Sequence, residues 1–277
     1  MLFITFSREF ASGGTEIAKR VAERLNCHYF DTEAINQAAE ELGFLQEVKK
    51  VDEKPPSFFQ QLFSDKVSSG FFRLHSVIYE LAKRGDAVFL GRGSSILLKD
   101  LNCALRVRIV ASREKRVENL LREGYRKEEA DQILQKTDRE RDAFVKFVYG
   151  VNWDDARYYD LVLNMDKLST DMAVETVVNL ARSSDIRTAG IECQKAIEVL
   201  ALTSRLQAAI VDAGSAFDHG HSVSVSVTVP EPGKVVLSGW VANEAGKKKA
   251  EDIVRSIKGV ETVENTIRIV RATRVKD

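Results

Sequence analysis

Between Ser7 and Thr15 the chain reads SREFASGGT, which places one arginine, three hydroxyls and two adjacent glycines within nine residues. Successive backbone N–H groups at a helix start hold phosphate well, and glycine lets the main chain approach it closely. A Walker-type loop would carry lysine where Gly14 stands. Taken alone, Gly13-Gly14 therefore reads equally as a tight turn. Two further runs hold candidate phosphate-binding cations: GRG at 91–93 and KTDRERD at 136–142. By charge pattern alone, the second is a solvated helix face. His28, His75, His219 and His221 have no metal-ligand spacing. Cys27, Cys103 and Cys193 are odd in number, far apart and free of any CxxC, the pattern of free thiols in a reducing compartment.

These residues need a scaffold. LFITF at 2–6 is a short continuous apolar run, as in a strand buried on both faces of a parallel sheet. Ile17, Val21 and Leu25 then recur at helical spacing, so strand, glycine-bearing loop and helix open a βαβ unit. A second helix begins near Thr32, and 44–70 is irregular around Pro55-Pro56. Leu74, Ile78 and Leu81 mark a helix that stops at Gly85. AVFL at 87–90, LRVRIV at 105–110 and LVLN at 161–164 are further strands. Ser112 and Ser169 are positioned to start helices, and 126–148 is a long charged one. Arg106 and Arg108 alternate with apolar neighbours, which suggests the polar face of an edge strand. This alternation of strands and helices predicts a three-layer α/β domain with a parallel sheet over 1–183. The phenylalanines at 58, 59, 63, 71 and 72 fit core packing first, with a base pocket or a homodimer face as alternatives.

SSDIRTAG supplies a polar linker, set at 184–191, after which the pattern changes. A helix over 192–213 precedes SVSVSVTV, whose valines at 223, 225, 227 and 229 alternate with polar residues, as in a half-buried strand. A PEPGK turn, the strand VVLSGWV, a helix at 244–257 and the strand TIRIV follow. The α-β-β-α-β order over 192–273 predicts a small antiparallel α+β domain.

Bulk properties narrow the function classes. Of 277 residues, 44% are apolar and 30% charged, with 41 basic side chains cancelling 41 acidic ones. That balance argues against nucleic acid as a main partner. No apolar run approaches the roughly 18 residues of a transmembrane segment, and the N-terminus lacks a signal-peptide pattern. The expectation is a cytoplasmic protein.

Order and spacing across about 1–182 resemble the cytidylate kinases: IAKRVAERLNCHYFDTEAI, GRGSSILL, RVRIVASREKRVENL, TDRERD and DLVLNMDKLSTDMAVETV. The loop is similar to that of the cytidylate kinase-like family, which reads S-R-E/Q-x-x-S-G-G. The resemblance implies a P-loop kinase fold and ATP- and Mg2+-dependent phosphorylation of a nucleoside monophosphate, CMP first. It places Ser12, Gly13, Gly14 and Thr15 on the donor phosphates, with the Thr15 hydroxyl as magnesium ligand. Arg8 replaces the lysine as the nearest cation. Asp31, Gly91 and Arg92 fall at the monophosphate side. Arg139, Arg141 and Lys136 fall in the lid, while the family's last lid arginine falls at Ala143. Arg113 and Arg116 divide evenly between a nucleotide role and a solvated helix face.

Residues 192–273 resemble the BON domain, through GKVVLSGWVANEAGKKKAEDIVRSIKGVETVENTIRIV. That implies a binding or assembly module for a ligand, a lipid surface or self-association. Lys247, Lys248 and Lys249 could meet an anionic partner, although a solvated patch is the favoured reading. The competing functional reading is a weak or inactive nucleotide sensor, or an assembly protein, acting through the BON domain.

Overall fold

The computed structural model describes residues 1–50, 65–187, 190–214 and 224–270. They fall into two compact units: 1–41 with 81–187 and 190–194, and 42–50 with 65–80, 195–214 and 224–270.

The first unit is a five-stranded sheet in the order β2-β3-β1-β4-β5, parallel throughout. Its strands are β1 (Phe3–Arg8), β2 (His28–Phe30), β3 (Ala87–Leu90), β4 (Ala104–Val110) and β5 (Leu161–Asn164). Phe3, Ile4 and Phe6 are fully buried because β1 is central and covered on both faces. Helices α1 (Gly14–Leu25) and α2 (Thr32–Glu41) flank the first two strands. Next in the chain come α3 (Leu45–Lys50) and α4 (Asp65–Ala82), which fall in the second unit but for the end of α4, and then the short α5 (Ser94–Leu97) of the first. The segment after β4 forms α6 (Arg113–Arg122) and α7 (Lys127–Tyr149). Beyond β5 lie α8 (Thr170–Ala181) and α9 (Ser184–Arg187).

The apolar stripe of α1, Ile17, Ala18, Val21 and Ala22, shares one core with Val174, Val177 and Val178 of α8. Arg20–Asp171 and Arg24–Glu175, each 2.5 Å, repeat every four residues on both helices and so align them in parallel. These exposed pairs add at most about 1 kcal/mol each; the buried stripe carries the packing. Ser112 and Ser169 cap α6 and α8 by accepting the N–H groups of Lys115 and Met172.

Two expectations need correction here. β4 is not an edge strand: it pairs with β1 on one side and β5 on the other. Arg106 is satisfied instead by Asp160, at 3.0 and 2.6 Å, and Arg108 is buried under aromatic rings. The three thiols are not all free either. Cys103 and Cys193 form a disulfide, with Cα atoms 6.4 Å apart, and only Cys27 is free. Ninety residues separate the pair, so linear spacing does not reveal it.

In the second unit, α10 (Gly190–Asp212) leads to β6 (Ser224–Glu231), β7 (Lys234–Val241), α11 (Glu244–Arg255), β8 (Thr262–Asn265) and β9 (Arg268–Ile269). β6 runs antiparallel to β7, whereas β8 and β9 pair with β7 in parallel. The expected antiparallel sheet is thus mixed. α11 is a crossover that returns the chain in the direction of β7, which a tight hairpin cannot do. Leu202, Leu206 and Ile210 of α10 close a core with Val227, Val229, Val235, Leu237 and Val254. The span expected as a linker carries α9 and the first turn of α10.

This unit also holds most of α4. Arg73 meets Asp212 at 2.5 Å, and Glu80 lies 3.8 Å from Arg205. Seven residues, two turns, separate the partners on each helix, in opposite senses, so α4 and α10 run antiparallel. Phe71 and Phe72 are half-buried on α4, and Phe72 meets His75 edge-on. Phe58, Phe59, Phe63, His219, His221 and Val223 lie outside the described residues. Among the described residues, no helix is long and apolar enough to cross a membrane.

Loss of hydration lowers the His75 pKa from 6.5 to about 4. The unfolded chain then binds a proton that the folded chain refuses. The stability contribution of neutral His75 is complete above pH 6.5 and lost as pH falls towards 4, by up to about 1.4 kcal/mol per pH unit. Resistance to urea should therefore fall from pH 7 to pH 5, and His75→Phe should flatten that slope; an identical slope in the variant contradicts the assignment.

Candidate active site

The loop between β1 and α1 lies at the carboxyl end of the central strand, where open parallel sheets bind ligands. Ala11 and Gly13 are left-handed, with φ of 60° and 82°. Gly13 caps α1 without any side-chain hydrogen bond, which leaves the first-turn N–H groups for an external acceptor. Thr15 is exposed in that turn. Ser12, by contrast, is buried, and both its groups serve the loop: its N–H and its hydroxyl donate to Glu9 O at 3.4 and 2.9 Å.

The loop is braced from outside. Glu9 accepts the N–H of Ala111 at 2.9 Å. Asp138 of α7 accepts the N–H of Phe10 at 2.9 Å and pairs with Arg116 of α6. Asn119 donates to Ala11 O at 2.9 Å, and Arg141 to Arg8 O at 3.0 Å. Phe10 and Ala11 also pack against Leu120, Ala130 and Leu134. Arg116 thus holds the loop rather than a solvated face, and Arg113 pairs with Asp131.

The glycine at the position of the Walker lysine has a steric cause. A Cβ on Gly14 would lie 2.6 Å from the Arg8 Cβ, 3.1 Å from its Cγ and 3.2 Å from the Ile109 Cβ. The stem of Arg8 fills that place.

Arg8 lines a cleft of about 390 Å³, counted to its open mouth. Phe6 and Ser7 contribute from β1, residues 91–96 from the turn after β3, and Arg141, Phe144 and Val145 from α7, with Trp153 and Tyr159 beside them. Three arginines, Arg8, Arg92 and Arg141, line it, and among the described residues no carboxylate or histidine does. Arg92 is 1% exposed, and its guanidinium donates to Asn36 Oδ1 at 3.1 Å.

The cleft floor is a buried network centred on Ser7. Its hydroxyl accepts from Trp153 Nε1 at 2.7 Å and from Arg108 at 3.2 Å, and lies 3.3 Å from Tyr159 Oη. Tyr159 donates to Trp153 O at 2.9 Å. Arg108 stacks 4.1 Å from the Trp153 ring centroid and also bonds Asp154. Desolvation raises the Tyr159 pKa, so its phenol stays protonated and able to donate.

Among the residues singled out from sequence, the structure brings Arg8, Gly91, Arg92 and Arg141 together. Arg139 and Lys136 are exposed on α7 and do not line the cleft. Asp31 caps α2, accepting the N–H groups of Glu33 and Ala34 at 3.0 Å each. Sequence reasoning misses Ser7, Asn36, Arg108, Asp138, Trp153 and Tyr159. One signal was available: an arginine inside the apolar run of β4 calls for a buried partner.

A glycine-bearing phosphate loop ahead of α1, at the carboxyl edge of a parallel sheet, with arginines converging from three segments, defines a kinase-like nucleotide-binding domain. The sequence matches the Cytidylate kinase-like family over residues 3–167 and the BON domain over residues 199–271. The chain belongs to the cytidylate kinase-like family, and a BON domain follows the kinase-like fold. It is 28% identical over 173 residues to a cytidylate kinase of Pyrococcus horikoshii, covering 61% of this chain and 83% of that protein. Identity to a cytidylate kinase of Methanopyrus kandleri is 30% over 171 residues, 58% of this chain and 82% of that protein. The solved structure of an uncharacterized protein from Eubacterium ventriosum shares the fold: TM-score 0.54, 21% identity, 66% of this chain and 99% of that one.

Ser7→Ala strands buried donors on Trp153 and Arg108. It should destabilise the kinase-like fold by about 1–3 kcal/mol in denaturant unfolding. A loss below about 0.5 kcal/mol would show that the network is not fastened through Ser7.

Proposed function

We propose that the protein transfers the γ-phosphoryl group of ATP to a nucleoside monophosphate, with CMP as the first acceptor. The observation that carries this reading is the makeup of the cleft among the described residues: three arginines and no carboxylate or histidine. A hydroxyl acceptor must lose a proton and calls for a nearby base. A phosphate acceptor arrives as an anion whose oxygen already has a free electron pair. It needs positioning and positive charge, which arginines supply as planar forks. The names of the two cytidylate kinase relatives point to CMP in particular.

The donor phosphates are assigned to the first-turn N–H groups of α1, from Gly14 and Thr15 onward, in a loop that Ser12 and Gly13 shape. Magnesium fits as a companion of the nucleotide: the Thr15 hydroxyl is one exposed oxygen in the first turn, and the described residues contain no group of three or more metal-binding side chains. Such a site suits an ion that keeps water and phosphate oxygens as its other ligands, and the ion neutralises phosphate charge when bound. Arg8 takes the role of the missing lysine, from the strand before the loop instead of the helix after it. Arg92 binds the acceptor phosphate, with Gly91 giving it access, and Arg141 spans acceptor and donor. Arg139 and Lys136, exposed on α7, are assigned to the lid over the phosphates, Lys136 on the substrate side. Asp31 fixes the start of α2 at the acceptor side. The BON domain is assigned a separate binding role.

Coupled measurement of ADP release with ATP, Mg2+ and CMP tests the assignment. Arg8→Ala should lower kcat/KM by about 10²–10³-fold, the scale for removing one preorganised charge donor. Arg92→Ala and Arg141→Ala should each cost at least about tenfold. Turnover unchanged in Arg8→Ala would remove it from the mechanism. ATP binding without turnover in the native chain would favour a nucleotide sensor that acts through the BON domain.

A further inference from the structure

Gly91, Arg92 and Gly93 all lie in the left-handed region, with φ of 81°, 55° and 68°. Glycine adopts that region freely, whereas an arginine persists there only when its surroundings dictate it. Tyr149, the last residue of α7, supplies such a constraint. Its ring lies across Gly93: a Cβ at that position would meet Cε2 at 2.2 Å and the phenol oxygen at 2.7 Å. The phenol donates to Arg92 O at 3.4 Å, and Phe144 supports the ring edge-on at 6.4 Å. Eight residues earlier on α7, Arg141 donates to Arg8 O at 3.0 Å. One helix therefore reaches the backbone carbonyls of two cleft arginines, Arg8 and Arg92.

We propose that Tyr149 is a positioning residue that locks the 91–93 turn to α7, so that α7 fixes where the Arg92 guanidinium stands relative to Arg8. The inference rests on reading the cleft as the acceptor site and extends it. Tyr149 fills the volume that a side chain at position 93 would need, so Gly93 is obligatory for as long as the ring is present. Because the phenol contact is long, the ring does most of the locking.

The test combines hydrogen–deuterium exchange of the full chain with steady-state kinetics. In Tyr149→Ala, amides at 91–97 should exchange at least about tenfold faster, while those at 14–25 hold their native rates. Its kcat should fall about tenfold with the KM for ATP unchanged. Tyr149→Phe keeps the ring and should stay within about threefold of the native chain in both readouts. Gly93→Ala should cost at least about tenfold more in the native background than in Tyr149→Ala, because only the native background contains the collision. Native exchange rates at 91–97 in Tyr149→Ala, or additive effects of the two substitutions, would overturn the proposal. Where the native chain shows no turnover, the kinase reading fails, and the exchange measurement alone decides on the lock.

Discussion

A side chain at position 14 and the stem of Arg8 cannot share the space beside the phosphate loop. The 2.6 Å that would separate their Cβ atoms is well inside van der Waals contact. The rest of the site follows from this exclusion. With the helix side vacated, the guanidinium beside the loop belongs to Arg8 at the end of β1, a strand fixed by full burial between β3 and β4. A cation launched from a strand end is aimed by its backbone, so the loop around it must be rigid. The contacts to Glu9, Phe10 and Ala11, and from Arg141 to Arg8, provide that rigidity.

The same contacts sort the charges. Glu9, Asp138 and Asp154 lie close in sequence or space to the cleft, yet each is committed to an N–H group or an arginine of the framework. Carboxylates thus fasten the walls, and arginines face the cavity. A phosphate entering such a cleft meets positive charge without a competing anion from the described residues, in a setting where partial burial strengthens the attraction. Arg108 illustrates the division. It is charged and buried but spent on Asp154, Ser7 and the Trp153 face, where it supports the floor.

Much of the fold was legible because its signals are local. Continuous apolar runs marked the central strands, Ser112 and Ser169 marked helix starts, and valine alternation marked β6. That Arg8, Gly91, Arg92 and Arg141 share one cleft was expected from the family resemblance alone; by charge pattern Arg141 reads as a solvated helix face. What failed depended on partners distant in sequence. Arg108 resembled an edge residue until β5 covered β4. Cys103 resembled a free thiol until Cys193 met it across the fold. Asp31 differs from these: the resemblance puts it at the monophosphate side, and its carboxylate caps α2 through the nearby N–H groups of Glu33 and Ala34, a local contact. The direction of β8 could have been read from sequence, because a helix between two strands implies a parallel return. Trp153 and Tyr159 carry no spacing signal; only the tertiary fold brings them to Ser7.

The central claim is that the cleft accepts an anion that brings its own nucleophilic oxygen. Its most direct test is a paired comparison of ADP release with ATP and Mg2+, setting each nucleoside monophosphate against the matching nucleoside. Turnover with a monophosphate, CMP foremost, and none with its nucleoside is the predicted result. Turnover with cytidine equal to that with CMP would mean that a hydroxyl is phosphorylated without a base in the cleft, and would contradict the account.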